Sequence, residues 1–382
     1  MYFQQRYLED TRAFDALKGL DTIKLPKTGL LSGIEMRVWG TCGTGADKPD
    51  VWLHDRLTKI ELIVNGSRVV KSLTGEQLLA DMLYKKTPHH SHDMKNMSAA
   101  SCEEFFYLNL GRHYHDLDYM LDLGKVNDPE LKLDYDFTLA AQNGWTNGVA
   151  MSAAPNRSVI CHLLREPPAA PRGYLKTSEI YRFTGGASRK ENMTIPRGPT
   201  YSNLYVQSWY KAQGIGYLLD KLELNFNNDA LIPIRIGLTE LASEIVRMYG
   251  LFQMDQQMSV KGGQAYPFPL EQAVFKPNPL GLVAYDCLAM DVWGNAAAPG
   301  FKDTATGLTP YTGNLNVLFT LFGTWPFSVS PIPYFNPWDE RTWVDTSKLG
   351  DFWLRFEGNA SMGTSVTIKL LGDEVVTRYE TI

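Results

Sequence analysis

The segment GRHYHDLDYMLDLG, Gly111 to Gly124, places His113 and His115 one residue apart. On a β-strand alternate side chains share a face, so H-x-H sets two imidazoles side by side, as a metal centre built on a sandwich requires. Three further histidines, His89, His90 and His92, crowd the stretch HHSH. His113 and His115 are therefore the candidate ligands for a metal-dependent reaction. Two features oppose that reading. The glutamate such a centre would want just downstream is replaced by Asp118 and Asp122, and all seven histidines lie at or before His162. Polar loop histidines without a metal are the plainer reading, and neither a metal ligand nor a cofactor is assigned.

Other catalytic arrangements are weaker still. The loop GTCGTGADK (Gly40 to Lys48) has the glycines of a phosphate loop, but Ala46 and Asp47 stand where Lys and Ser/Thr must follow the second glycine. Pro49 and DVWLHD come next, so no helix is expected there and a surface loop is. There is no G-x-S-x-G, and no cysteine lies in a recognisable catalytic context. The four cysteines (Cys42, Cys102, Cys161, Cys287) lack CxxC spacing and read as free thiols of a reducing compartment. A net charge of -5 with dispersed Lys and Arg disfavours extensive direct contact with nucleic acid. The N-terminus shows no secretory signal, so the product is expected to stay where it is made, and the sequons, such as Asn192 with Thr194, carry little weight. The apolar run from Asn316 to Phe335 is broken by Gly323, Pro326, Pro331 and Pro333, and reads as buried strand and loop.

The elements around these residues are mostly strands. IEMRVW, KIELIV, LKLDYDFTLA, NLYVQSWY, KLELNF, FWLRFEG and SVTIKLL alternate apolar with polar between Gly, Pro, Asn and Asp. They also repeat. LPKTGLLSGIEMRVW (Leu25 to Trp39) aligns without a gap on IPRGPTYSNLYVQSW (Ile195 to Trp209), matching Pro26 with Pro196, Ser32 with Ser202 and Trp39 with Trp209. LTKIELIVNGS (Leu57 to Ser67) is echoed by LDKLELNFNND (Leu219 to Asp229), with Leu57, Lys59, Glu61, Leu62 and Asn65 matched by Leu219, Lys221, Glu223, Leu224 and Asn227. A helical pattern follows in each copy, Thr74 to Tyr84 and Thr239 to Tyr249, and Thr74 with Gln77 predicts a capping box. Glu61 and Glu223, flanked by apolar residues, are expected to point outward. The chain thus reads as an internal duplication of all-β class: two tandem antiparallel jelly-roll sandwiches with a few short helices. The expected parts are an N-terminal arm or helix (1–19), a first jelly roll (20–170), a linker region rich in Pro and Gly (171–192) and a second jelly roll (193–382). In the arm, Tyr2, Phe3, Tyr7, Leu8, Phe14 and Leu17 would form an apolar stripe on a helix.

KIELIVNGSRVVKSLTGEQLLADMLY, FFYLNLGRHYHDLDYMLDLGKVNDPELKLDYDFT and the long run from Lys176 to Gly250 resemble the double jelly-roll major capsid proteins of icosahedral bacterial and archaeal viruses, many of which enclose a membrane. The resemblance extends from about residue 20 to the C-terminus and lies in the whole pattern. It implies a structural virion protein with no enzymatic activity and no cofactor, made in the host cytoplasm. Three chains would form a pseudo-hexagonal capsomer that tiles an icosahedral shell. Its partners would be itself, neighbouring capsomers, minor capsid and vertex proteins, and through the arm an inner viral membrane. Gly40 to Asp55, Thr87 to Ser101 and Asn295 to Gly313 are the loops expected to form turrets. Two other readings stay open: a metal-dependent bicupin-like enzyme using His113 and His115, and a double-sandwich glycan-binding protein.

Overall fold

Alternation decides the elements. Along Phe352–Gly358 buried and half-buried residues alternate without interruption, the signature of a strand with one face in a core. The computed structural model describes residues 1–43, 51–87, 92–94, 101–141, 149–167, 169–209, 214–261, 271–277, 314–360, 362–363 and 366–377. The first half runs β1 (Tyr2–Ala13), β2 (Lys18–Lys24), β3 (Leu30–Thr41), α1 (Leu53–Arg56), β4 (Lys59–Val64), β5 (Arg68–Leu73), α2 (Gly75–Tyr84), β6 (His92–Met94), β7 (Ser101–Asn109), β8 (Leu121–Asp122), β9 (Glu130–Asp136) and β10 (Asn156–Arg165). The second runs β11 (Tyr174–Thr184), β12 (Lys190–Thr194), β13 (Thr200–Trp209), α3 (Ile215–Leu218), β14 (Leu219–Phe226), β15 (Leu231–Gly237), α4 (Leu238–Tyr249), β16 (Phe252–Lys261), β17 (Glu271–Pro277), β18 (Asn314–Thr324), β19 (Val329–Pro331), β20 (Val344–Asp345), β21 (Phe352–Gly358) and β22 (Thr367–Val376).

Each half is a sandwich. In the first, β1-β10-β3-β7 faces β5-β4-β9-β2, and Ile34, Met36, Val159, Leu62, Leu131 and Leu133 interdigitate between them. In the second, β13-β22-β11 faces β12-β21-β14-β15, around Leu204, Leu370, Leu222, Leu224, Leu354 and Phe356. The strands are antiparallel within each roll, but two parallel pairings stitch the halves together: β11 on β5 and β16 on β6.

The duplication reaches the register. Ile160 opposes Glu35 as Leu371 opposes Tyr205, and His162 opposes Gly33 as Asp373 opposes Asn203. Both ladders then skip one residue, Ser32 in the first and Ser202 in the second, so the matched serines are β-bulges at the same place. Glu61 opposes Ser72 as Glu223 opposes Arg235. Both glutamates lie on the face away from the sandwich core, as expected, but Glu223 is buried there between Arg235 (3.3 Å) and Arg355 (3.1 Å).

Three expectations need correction. Residues 2–13 are a strand, not a helix, so the helical stripe does not exist. Polar residues such as Gln4, Gln5 and Glu9 would suit a helix, yet the segment gains a ladder along most of its length by docking on β10. Buried Arg157 holds it, binding Glu9 at 2.5 Å and Asp21, with its guanidinium 4.5 Å above the ring of Phe14. Part of the first turret candidate is core: residues 44–50 lie outside the described residues, but Val51 to Arg56 are buried. That segment includes the one-turn helix α1, where no helix was expected. Within 171–192, the region expected as linker, β11 is a strand of the sheet that spans both halves. The turret candidate Asn295 to Gly313 lies outside the described residues, as do residues 88–91 and 95–100 of Thr87 to Ser101. The run from Asn316 to Phe335 is strand β18, a short 3-10 turn and β19, and among the described residues no helix is long and apolar enough to cross a membrane.

Candidate functional site

His113 and His115 do not share a strand face. Residues 111–115 form bends and a turn, with His115 in the left-handed region at φ 55°. His113 is exposed and its Nδ1 meets the Tyr114 carbonyl at 3.0 Å. His115 is stacked between Phe3 and Tyr114, each ring centroid 3.8 Å away, and its Nε2 faces His162 Nδ1 at 3.3 Å. His162 in turn meets Glu35 at 3.1 Å. Burial, then the neighbouring His162, lower His115 to about 4, so it is neutral at ordinary pH. Among the described residues no group of three or more His, Cys, Asp or Glu side chains is arranged to hold a metal. Histidines 89 and 90 and Cys287 lie outside the described residues, and Cys42, Cys102 and Cys161 are buried free thiols.

The dense polar chemistry is instead at the junction of the two rolls. Helix α2 begins with the expected capping box: the Thr74 amide donates to Gln77 Oε1 at 3.0 Å and the Gln77 amide to Thr74 Oγ1 at 3.3 Å. Every residue of the helix is buried, because the second roll closes over it. Tyr205, Leu371, Phe327, Val329, Phe252 and Met254 of the second half join the first roll's own core. Tyr84 donates its hydroxyl to the Val329 carbonyl at 2.5 Å, and Gln77 donates to Gln207 at 2.9 Å, which donates to Glu76 at 3.2 Å.

Where β11 meets β5, a buried ion network pins the rolls. Asp373 of β22 faces Lys85 at 3.1 Å and Lys71 at 3.8 Å, and Lys85 also holds Asp81 at 2.8 Å. Thr177 links the set, accepting from Lys71 and donating to Asp373. Burial disfavours every one of these charges. Against it, Lys85 and Lys71 hold Asp373 below the ordinary carboxylate range, and Asp373 with Asp81 hold Lys85 above the usual lysine range. Burial and the charge of Lys85 draw Lys71 down to about 8. Nearby, His54 Nδ1 lies 2.7 Å from buried Glu104; burial opposes its charge, but Glu104 and Asp55 raise it to about 9. The cavity lined by Leu73, Gln77, Asp81, Thr177, Tyr205, Val329 and Leu371 measures about 10 Å3, room for roughly one water. Charges that satisfy one another in so small a space hold two bodies together and have no access to a substrate. On the surface a second clamp crosses the junction: Arg112 binds Asp116 (2.7 Å), Asp118 and Glu340 (3.2 Å), and Arg172 binds Glu340 at 2.9 Å.

One local signal for this network is visible in the sequence, lysine and aspartate inside apolar strand runs (RVVKSL, LLGDEVV). Their pairing across three hundred residues had none.

No family model matches the chain, and no curated protein does. Solved structures match over nearly its whole length. The STIV MCP gives a TM-score of 0.59 at 13% identity, covering 99% of this chain and 98% of that one. A chain from the atomic structure of Sulfolobus Turreted Icosahedral Virus gives 0.58 at 13% identity, covering 99% and 91%. The major capsid protein from bacteriophage PM2 gives 0.54 at 12% identity, covering 99% of each. The fold is a double jelly roll. In this double jelly roll the two sandwiches are fused edge to edge through β11 and β5, and α2 is the element sealed between them.

Proposed function

We propose that the chain is a structural virion protein, the major capsid protein of an icosahedral virus, acting through self-assembly without enzymatic activity or a cofactor. The observation that carries this reading is the full-length correspondence to capsid proteins by a chain whose two rolls repeat each other in register. Two like rolls per chain let three copies approximate a hexagon with threefold symmetry, and a closed ring of that kind uses head-to-tail contacts. The homotrimer would be the capsomer, meeting neighbouring capsomers and, at special positions, minor capsid and vertex proteins, and its place would be the virion. A metal-dependent reaction has no support in the placement of His113 and His115. Light scattering on the purified protein, with imaging of the same peak, tests the proposal. The expected result is a species three times 43.0 kDa with a six-cornered outline. A monomer or dimer would overturn it, and one carrying a metal ion per chain would move His113 and His115 to the centre.

A further inference from the structure

Among the described residues, the internal repeat shows which surfaces of a single chain lack the cover that their counterparts have. Strands β1 and β11 are equivalent: Tyr2 opposes Arg165 on β10 as Tyr174 opposes Val376 on β22, and both ladders carry an irregularity at the same step, after Tyr7 and after Glu179. Strands β5 and β15 are equivalent through their pairing with β4 and β14. Within the chain β11 lies parallel to β5, Thr177 opposite Lys71 and Ser178 opposite Ser72. Among the described residues β1 and β15 are both edge strands. By the matched registers, Gln5 and Arg6 occupy the positions of Thr177 and Ser178, and Ile234 and Arg235 those of Lys71 and Ser72.

Exposure follows the same division. Tyr174 is 1% exposed, sealed into the first roll's core, whereas its counterpart Tyr2 is 55% exposed. Helix α2 is wholly buried, but of α4, its counterpart, only Leu241 and Ile245 are buried. On and beside α4 and β15, Val246 (37%), Leu251 (55%) and Leu231 (54%) stand open to solvent. The residues that cover α2 also have counterparts: Tyr205, Gln207 and Leu371 correspond to Glu35, Arg37 and Ile160 on the outer face of β3 and β10.

We propose that β1 of one copy pairs in parallel with β15 of the next, repeating between chains the junction that β11 and β5 make within one. The outer face of β3 and β10, at Glu35, Arg37 and Ile160, then covers α4 of the neighbour. The occupant is a second copy of this chain, because this chain carries on β3 and β10 the surface equivalent to the one already seated on α2. The two junctions differ in chemistry. Asp373 and Lys71 are replaced by His162 and Ile234, so the buried ion network does not recur, and Tyr205 gives way to charged Glu35. A more polar contact without buried ions suits partners that fold separately before they meet.

This inference rests on the capsomer reading, and its test separates the two. The full chain would carry Gln5→Cys with Ile234→Cys, or Arg6→Cys with Arg235→Cys on the other face, and be treated with mild oxidant or a short bismaleimide. Denaturing electrophoresis should show a covalent ladder ending at three chains, absent from each single-cysteine variant. A trimer by light scattering that yields no ladder from either pair would overturn the strand pairing while leaving the capsomer standing. A monomer would overturn both.

Discussion

Asn65 and Asn227, an identity visible between the two copies, do the same work. Each lies in the left-handed region, at φ 53° and 54°. Each donates its amide to a facing loop, Asn65 to the Asn127 carbonyl at 2.7 Å and Asn227 to that of Asp351 at 2.8 Å. Each also accepts back on its side-chain oxygen, from the amides of Asn127 and Gly350, both at 2.6 Å. Asparagine tolerates that backbone and supplies the acceptor. Asn65→Ala and Asn227→Ala should each cost about 1–3 kcal/mol, combining left-handed strain with a lost hydrogen bond. The corresponding glycine variants, which relieve the backbone but not the bond, should lose less. Urea unfolding of the two pairs measures this, and alanine and glycine variants of equal stability would contradict it.

Among elements, those legible in the sequence were the ones whose partners lie nearby or whose pattern is unambiguous. The capping box of α2 and the alternating strands are of this kind. β1 was not legible: its Gln, Glu and Arg favour a helix locally, and only the waiting edge of β10 and the buried guanidinium of Arg157 make it a strand. The short helix α1 was hidden for a similar reason, since Trp52 and Leu53 gain their burial from the roll around them. The junction of β11, β22, β5 and α2 was the least legible part, because Lys71, Lys85, Thr177 and Asp373 become one network only after both rolls have formed. That network sets a clear expectation. Lys85→Met leaves Asp373 and Asp81 buried with a weakened counter-charge and should cost about 3–5 kcal/mol. A loss below about 1 kcal/mol in denaturant titration, the scale of an exposed ion pair, would mean the network is solvated rather than sealed.

At the scale of the whole molecule, the duplication visible in the sequence suggests two independent rolls, but the packing does not divide that way. The sheet of the second roll continues through β11 into the sheet of the first, and Tyr205, Leu371, Phe327 and Val329 complete the core beneath α2. A chain cut at residue 170 would expose the whole outer face of α2, leave the β5 edge open and strand Lys71, Lys85 and Asp81 without Asp373. Residues 1–170 alone should therefore lack a cooperative thermal transition and bind hydrophobic dyes, whereas the full chain should unfold in one transition. The second roll loses less by the same cut, because its α4 already faces outward and its core is supplied from its own strands. Calorimetry on the full chain and on each half tests this asymmetry. A first roll that melts sharply by itself would show that the junction joins two finished domains. A single transition lost on cutting would show that the junction completes the first roll's core, with α2 sealed only once β11, β13 and β22 have closed over it.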